Sequence, residues 1–217
     1  MKYKNLIFDF DGVLAESVHI KTQAFYKLYV PYGKKVAEKV VKHHNANCGM
    51  SRFEKFPYYH KTFLNIDLSE RDVENLSNNF SKLVIDAVVD ADEVPGALWF
   101  LQKYLNESKY WIVSATPTDE INEIAEKRGI SDFFKSIYGS PEEKSSIVKS
   151  IIKNNELKDY ETVFFGDALS DYNAAKSNNI DFMLRQTKGN KIIFQEYTGL
   201  IHFNDFHELK RILQRIN

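Results

Sequence analysis

The sequence predicts an α/β protein: a parallel sheet covered on both faces by helices, with an all-helical segment inserted after the first strand. Three observations carry that expectation. Short apolar runs bounded by turn residues alternate with helical patterns along the chain. Three of those runs lead into residues able to do chemistry, Asp9, Ser114 and Asp167. The long stretch 16–93 shows helical periodicity and no convincing strand.

The first strand is Leu6-Ile7-Phe8, ended by Asp9 and Asp11. In the stretch that follows, Pro31-Tyr32-Gly33 breaks one helix from the next. Ser51-Arg52-Phe53-Glu54 and Ser69-Glu70-Arg71-Asp72 both read as capping boxes that open helices. Behind the second, Val73, Leu76, Phe80, Leu83, Val84, Ala87 and Val88 form an apolar stripe at i, i+3, i+4 spacing. A strand-to-helix connection of this length is outside the ordinary range. Residues 16–93 are therefore expected to be a helical domain, and Val94-Pro95-Gly96 the hinge back to a core made of 1–15 and 94–217. The remaining strands are Tyr110-Trp111-Ile112-Val113, Ile137-Tyr138, Thr162-Val163-Phe164-Phe165 and Asp181-Phe182-Met183-Leu184. In a parallel sheet, ligands bind beyond the carboxyl ends of the strands, which is where Asp9, Ser114 and Asp167 fall.

With 43% apolar and 14% aromatic residues, the 217-residue chain has ample material for a core. A formal net charge of −1 offers no basic field for nucleic acid. Cys48, the single cysteine, cannot form an internal disulfide, which fits a reducing compartment. Asn5 to Phe8 is too short for a signal-peptide core, and no run reaches the ~18 apolar residues of a membrane span. A soluble cytoplasmic protein acting on a small phosphorylated metabolite is expected, with no nucleic-acid, membrane or protein partner. Within 16–93 the charge is polarised. Lys21, Lys27, Lys34, Lys35, Lys39, Lys42, Arg52, Lys55 and Lys61 face only Glu38 and Glu54, a group that could steer an anion.

Asp9 and Asp11, two apart on an extended chain, point to the same side, and Gly12 lets the chain turn away. Carboxylates that close repel unless a cation or a shared proton relieves them. Asp167 and Asp171, arriving from another strand end, complete an all-oxygen set suited to Mg²⁺. Asp9 is then a candidate nucleophile on phosphorus and Asp11 a candidate acid and base, with Ser114 and Lys144 holding the transferred group. Ser140-Pro141-Glu142-Glu143 reads as a helix start, with Ser140 as N-cap. Lys144 then lies in or near the first turn, where the dipole disfavours a cation unless an anion is near. Gly49-Met50-Ser51-Arg52 is a plausible anion-binding corner, with Arg52 as substrate contact. The six histidines show no metal-ligand spacing and are assigned to structure or solvent, with His19 near the expected mouth.

Four segments together resemble the motifs of the haloacid dehalogenase superfamily: Phe8 to Leu14, Val113-Ser114-Ala115-Thr116, Lys144, and Gly166-Asp167 through Asp171. The resemblance implies a three-layer Rossmann-like core, with Asp9 as nucleophile and Asp11 as acid and base. It implies Mg²⁺ held by Asp9, Asp167 and the Asp11 carbonyl, with Asp171 in support, and Gly12, Ala115 and Arg52 in the substrate-contacting set. The inserted helices resemble the C1 cap of phosphoglycolate phosphatase-like and β-phosphoglucomutase-like members. Dehalogenases of the superfamily lack the second aspartate, so Asp11 implies phosphoryl chemistry. Mutases usually carry a histidine ten residues past it, where this chain has Lys21, and Glu16 replaces the aspartate usual before Ser17. The expected function is Mg²⁺-dependent hydrolysis of a small phosphate monoester, first of all a sugar phosphate, through an aspartyl phosphate. The rivals are a phosphomutase and a catalytically silent phosphate-ligand binder. A phospho-acceptor receiver module does not match the long helical insert.

Overall fold

A computed structural model of the chain describes residues 2–216. Its strands β1 (Asn5–Phe8), β2 (Lys109–Pro117), β3 (Ser136–Ser140), β4 (Thr162–Gly166), β5 (Asp181–Arg185) and β6 (Ile201–Phe203) form one sheet in the order β3-β2-β1-β4-β5-β6. Every pairing is parallel. The five expected strands are present. The sixth, Ile-His-Phe, was not anticipated: it is three residues long at the sheet edge and buries only Phe203, so it carries almost no periodic signal.

Alternation along the strands explains the near-continuous apolar runs. Leu6 and Phe8, Tyr110 and Ile112, and Val163 and Phe165 face one layer; Ile7, Trp111, Val113 and Phe164 face the other. The second layer is α7 (Lys144–Asn154) and α8 (Leu169–Ser177), packed through Ile147, Val148, Ile151, Ala174 and Ala175. The first is α5 (Ala97–Tyr104), α6 (Thr118–Lys127) and α9 (Phe206–Arg215), packed through Phe100, Leu101, Ile121, Ile124, Phe206 and Leu209. With both faces covered, strands read as apolar throughout. The architecture is a three-layer Rossmann-like α/β fold.

Between β1 and α5 lie α1 (Val18–Tyr29), α2 (Lys34–Ala46), α3 (Arg52–Tyr59) and α4 (Glu70–Val89), with a 3-10 turn at Val30–Tyr32 and a π-helical turn at His60–Leu64. Pro31 and Gly33 separate α1 from α2, as the sequence indicates; Gly33 has φ 113°. Ser69 makes a full capping box with Asp72. Ser51 caps α3 only through its hydroxyl, which accepts from Phe53 N; the return bond from Glu54 is not formed, and Glu54 is exposed. The stripe of α4 is narrower than expected. Phe80, Val84 and Val88 are buried and Ser77 joins them, whereas Leu83 and Ala87 are exposed, because a single face of α4 meets the other helices. Phe25 sits at their centre, within 4.4–5.9 Å of the rings of His44, Phe56, Tyr59 and Phe80. Truncating such a residue to alanine costs about 3–5 kcal/mol.

The two chain crossings pair with each other. Glu16 N donates to Asp92 O at 2.9 Å and Val94 N to Leu14 O at 3.1 Å, beside an antiparallel bridge between Ala15 and Glu93. Arg128, at the end of α6, donates to the carbonyls of Val88, Val89 and Ala91 at 2.7–2.9 Å, holding the last turn of α4. Glu16 is paired with Arg185 at the end of β5.

Candidate active site

The strand order reverses direction at β1. The chain runs outward through β2 and β3, then returns to place β4 on the other side of β1. Such a switch point leaves a crevice at the carboxyl ends of the two central strands. Asp9 follows β1 and its amide donates to Phe165 O at 2.9 Å; Asp167 follows β4. Ser114 is buried at 1% exposure where the regular β2–β3 pairing breaks between Val113 and Pro117, rather than at the strand's last residue. That irregularity brings Ser114 to Thr116 toward the same end of the sheet.

Lys144 ties these parts together. Its ammonium donates to Asp171 Oδ1 at 2.6 Å and pairs with Asp9 Oδ2 at 2.9 Å. It is the first residue of α7, but not by the expected route. Ser140 ends β3 opposite Pro117, and Glu143 takes the N-cap position with no side-chain cap bond. The anions that account for a lysine in the first turn are Asp9 and Asp171 themselves. Asp171 in turn accepts from the amides of Asp167 and Ala168 through Oδ2, so both its oxygens are engaged in shaping the loop.

Burial raises the pKa of Asp9, opposed by the Lys144 charge and reinforced by Asp171 and Asp11. Asp167 is raised well above the usual carboxylate range by burial and by the Asp9 and Asp171 charges. Burial would lower Lys144, but the Asp171 and Asp9 charges outweigh it and raise its pKa. Oxygens of Asp9, Asp167 and Asp171 lie within 4.8 Å of one another, all buried. Three clustered carboxylates against one lysine leave an excess of buried negative charge, which a hard divalent cation relieves. The donor set fits such an ion. Asp9 and Asp167 line a small cavity and Asp171 does not, so Asp9 and Asp167 are the side chains placed to face the ion.

Asp11 is held differently. Ser17 Oγ donates to its Oδ1 at 2.6 Å, and Lys21 Nζ and Thr116 Oγ1 donate to Oδ2 at 2.5 and 3.1 Å. Burial alone would raise its pKa; the Lys21 charge and these hydrogen bonds reverse that and hold it below the usual value. Lys21, Thr116 and Ser17 are members of the site that the residue patterns alone did not single out.

Arg52 lines the small cavity together with Asp9, Asp11 and Asp167, yet its guanidinium is occupied. Nη1 and Nη2 donate to Glu120 Oε2 and Oε1 at 2.9 and 2.7 Å, and Nη1 also reaches Ser81 Oγ at 2.9 Å. The anion in the Gly49–Arg52 corner is thus a side chain of α6. Lys55, one helical turn on, and His44 of α2 also line this cavity. The i, i+3 relation of Lys55 to Arg52 on one face of α3 was the available signal for it; the adjacent His43-His44 pair offered none. Of the basic group in 21–61, Lys27, Lys34, Lys35, Lys39, Lys42 and Lys61 are exposed.

Two glycines allow close approaches. Gly12 has φ 79°, and a Cβ there would lie 2.4 Å from Asp167 Oδ2; its amide is engaged by Ala15 O. A Cβ at Gly49 would lie 1.9 Å from Ser170 Oγ and 3.0 Å from the Cβ atoms of Ala168 and Ser170, so glycine lets the α2–α3 loop seat against the start of α8 with the Ser170 side chain as it stands.

Two spaces meet here. Asp9, Asp11, Lys21, Arg52, Lys55, Ala115 and Asp167 are among those bounding a cavity of about 40 Å³. An open cleft of about 1420 Å³, lined by His19, Ser114, Lys144 and Asn190 among others, shares Val18, Cys48, Met50, Ala115 and Asp167 with it. Among the described residues no helix is long and apolar enough to cross a membrane.

Residues 6–184 match the profile of the haloacid dehalogenase-like hydrolases, and the chain belongs to that family. It is therefore an enzyme of the hydrolase class. Solved structures share the fold along nearly the whole chain. β-Phosphoglucomutase from Clostridium difficile is 20% identical with a TM-score of 0.76, covering 98% of this chain and 96% of its own. A haloacid dehalogenase-like family hydrolase from Streptococcus pneumoniae is 18% identical with a TM-score of 0.72, covering 97% and 99%. CbbY from Rhodobacter sphaeroides, solved with xylulose 1,5-bisphosphate, is 14% identical with a TM-score of 0.74, covering 95% and 96%. No curated protein matches the sequence significantly.

Proposed function

We propose that the chain is a Mg²⁺-dependent phosphatase of a small phosphate monoester, a sugar phosphate first of all, with residues 16–93 acting as a cap over the site. The observation that carries this reading is Asp9: a buried carboxylate at the switch point, held by Lys144, with Asp167 beside it and Asp11 bounding the same cavity. Bound Mg²⁺ would be held by Asp9, Asp167 and the Asp11 carbonyl and would offset the charge of carboxylates and phosphate.

Asp9 attacks phosphorus, and the ester P–O bond breaks as the leaving oxygen takes a proton from Asp11. Water then attacks the aspartyl phosphate and gives its proton to Asp11, freeing Asp9 and inorganic phosphate. Ser114 and Lys144 supply a hydroxyl and a fixed positive charge to the phosphoryl oxygens. In the arrangement observed, Lys21 and Thr116 hold Asp11 as the carboxylate, the form that accepts the proton from water. Donation to the leaving group calls for release of that contact. The 40 Å³ cavity has room for about one or two water molecules, so the ester enters from the cleft with the helices displaced and is sealed from bulk water on closure.

Phosphate release from a panel of small esters, with and without Mg²⁺ and beside Asp9→Asn, tests the reading. Metal-dependent release lost in Asp9→Asn supports it; release that persists in Asp9→Asn refutes it. The likeness to β-phosphoglucomutase keeps a phosphomutase as the second reading. An isomerised sugar phosphate in place of free phosphate would favour it.

A further inference from the structure

Each cation around the buried cavity has a carboxylate partner except one. Lys21 is paired with Asp11, Arg52 with Glu120, and Lys144 with Asp9 and Asp171. Lys55 is 1% exposed, and among the described residues no carboxylate lies within ion-pair distance of it. Its ammonium is 2.9 Å from His44 Nδ1 and 3.5 Å from Cys48 O, above the ring of Phe25. With Nδ1 accepting from Lys55, His44 carries its proton on Nε2. That atom is buried and has no partner among the described residues. A cation without a counter-charge and a histidine whose donor lacks an acceptor therefore line the same cavity as Asp9, Asp11 and Asp167. Both would be satisfied by one anionic group, since a buried charge is tolerated when paired and a buried donor when bonded.

We propose that Lys55 and His44 form a second anion subsite, which selects phosphate esters carrying an additional anionic group, a carboxylate or a second phosphoryl. This rests on the phosphatase reading and narrows its substrate class. Burial, with the nearby charges of Lys21 and Arg52, holds the Lys55 pKa down to about 7, and an anion in the cavity would reverse that. Arg52 is not the selecting cation in this chain, because Glu120 already takes both of its terminal nitrogens.

The test compares kcat/KM within matched pairs of esters: 2-phosphoglycolate against 2-hydroxyethyl phosphate, and fructose 1,6-bisphosphate against fructose 6-phosphate. The wild type is expected to prefer the two-anion member of at least one pair by tenfold or more, and the pair that shows it names the group. Lys55→Met should bring that ratio to within a factor of about two, and Lys55→Arg should restore part of it, with folding of each checked by circular dichroism. Lys55→Gln replaces Lys55→Met if the latter does not fold. A wild-type ratio near one in both pairs, or a preference kept intact by Lys55→Met, overturns the subsite. Should no ester be turned over, the phosphatase reading fails instead. Calorimetric titration of the same pairs into wild type and Lys55→Met then decides the subsite: a binding preference lost in the variant supports it, and equal binding refutes it.

Discussion

Arg52 on α3 and Glu120 on α6 form a bidentate ion pair between the helical segment and the flank of the sheet, with the two side chains only 4% and 5% exposed. Ser81 Oγ also donates to Glu120 Oε2, and the guanidinium lies over Phe80 at 4.5 Å, so both terminal nitrogens and both carboxylate oxygens are used. Removing one member of a buried pair strands the other. Glu120→Ala and Arg52→Ala should each cost about 3–5 kcal/mol, while Arg52→Met with Glu120→Leu should cost far less. Urea unfolding of the three variants reads this directly. Single-variant losses below about 1 kcal/mol would show that the pair behaves as a surface contact.

Addition of Mg²⁺ should raise the melting temperature, more at pH 8 than at pH 5. The sign follows from the raised carboxyl pKa values of Asp9 and Asp167. Such a group contributes stability below its unfolded pKa and loses it as pH rises through the folded value, leaving two buried charges that a cation can offset. At 100 times the dissociation constant the gain is about 2.7 kcal/mol. Asp167→Asn should abolish most of the shift. A shift that is absent, or equal at the two pH values, would sink the assignment of these residues to a cation.

Gly12→Ala should lower activity at least tenfold and destabilise the chain by about 1–2 kcal/mol, the cost of a left-handed conformation for a residue with a side chain. The first effect is steric: the new methyl would meet Asp167 Oδ2 at 2.4 Å and Val18 Cγ2 at 2.9 Å. Turnover and melting temperature measured together separate the two. Normal turnover in a destabilised variant would mean that Asp167 tolerates the displacement.

Lys55→Met should stabilise the chain at pH 7 and lose that advantage toward pH 10. Lys55 is packed among His44 and Cys48, with Lys21, Arg52 and Glu54 the charged neighbours. Burial lowers its pKa from the ordinary 10.5 to about 7, a cost of the order of 4 kcal/mol at or below pH 7. Between pH 7 and 10.5 the unfolded chain binds the extra proton, so wild-type stability from this residue rises with pH. Thermal melts of both proteins across that range give the difference. A constant difference, or a less stable variant at pH 7, would contradict it. Stability given up at a buried lysine is the pattern expected of a residue kept for binding.

The sheet was legible because its strands are buried on both faces and bounded by turn residues, which gives unbroken apolar runs such as Val163 to Phe165. β6 was not, being three residues with a single buried side chain. At the start of α7 the local pattern and the structure differ: serine, proline and glutamate satisfy a capping pattern from Ser140, whereas the β3 pairing to Pro117 holds Ser140 in the sheet and Glu143 is the N-cap. The width of the α4 stripe was overdrawn for a related reason: periodicity marks an apolar face, and only packing decides how much of it is covered.

The α/β class and the long helical stretch after β1 are carried by local patterns, and so is the candidate set Asp9, Asp11, Ser114, Lys144, Asp167 and Asp171, because each lies at or near a strand end or helix start. Tertiary structure alone decided which charges meet. Lys21 reaches Asp11, Glu120 takes Arg52, and Lys55 is left against His44 without a carboxylate. Pairings between residues far apart in the chain depend on how α1, α2, α3 and α6 pack around one cavity, and no local spacing encodes that geometry.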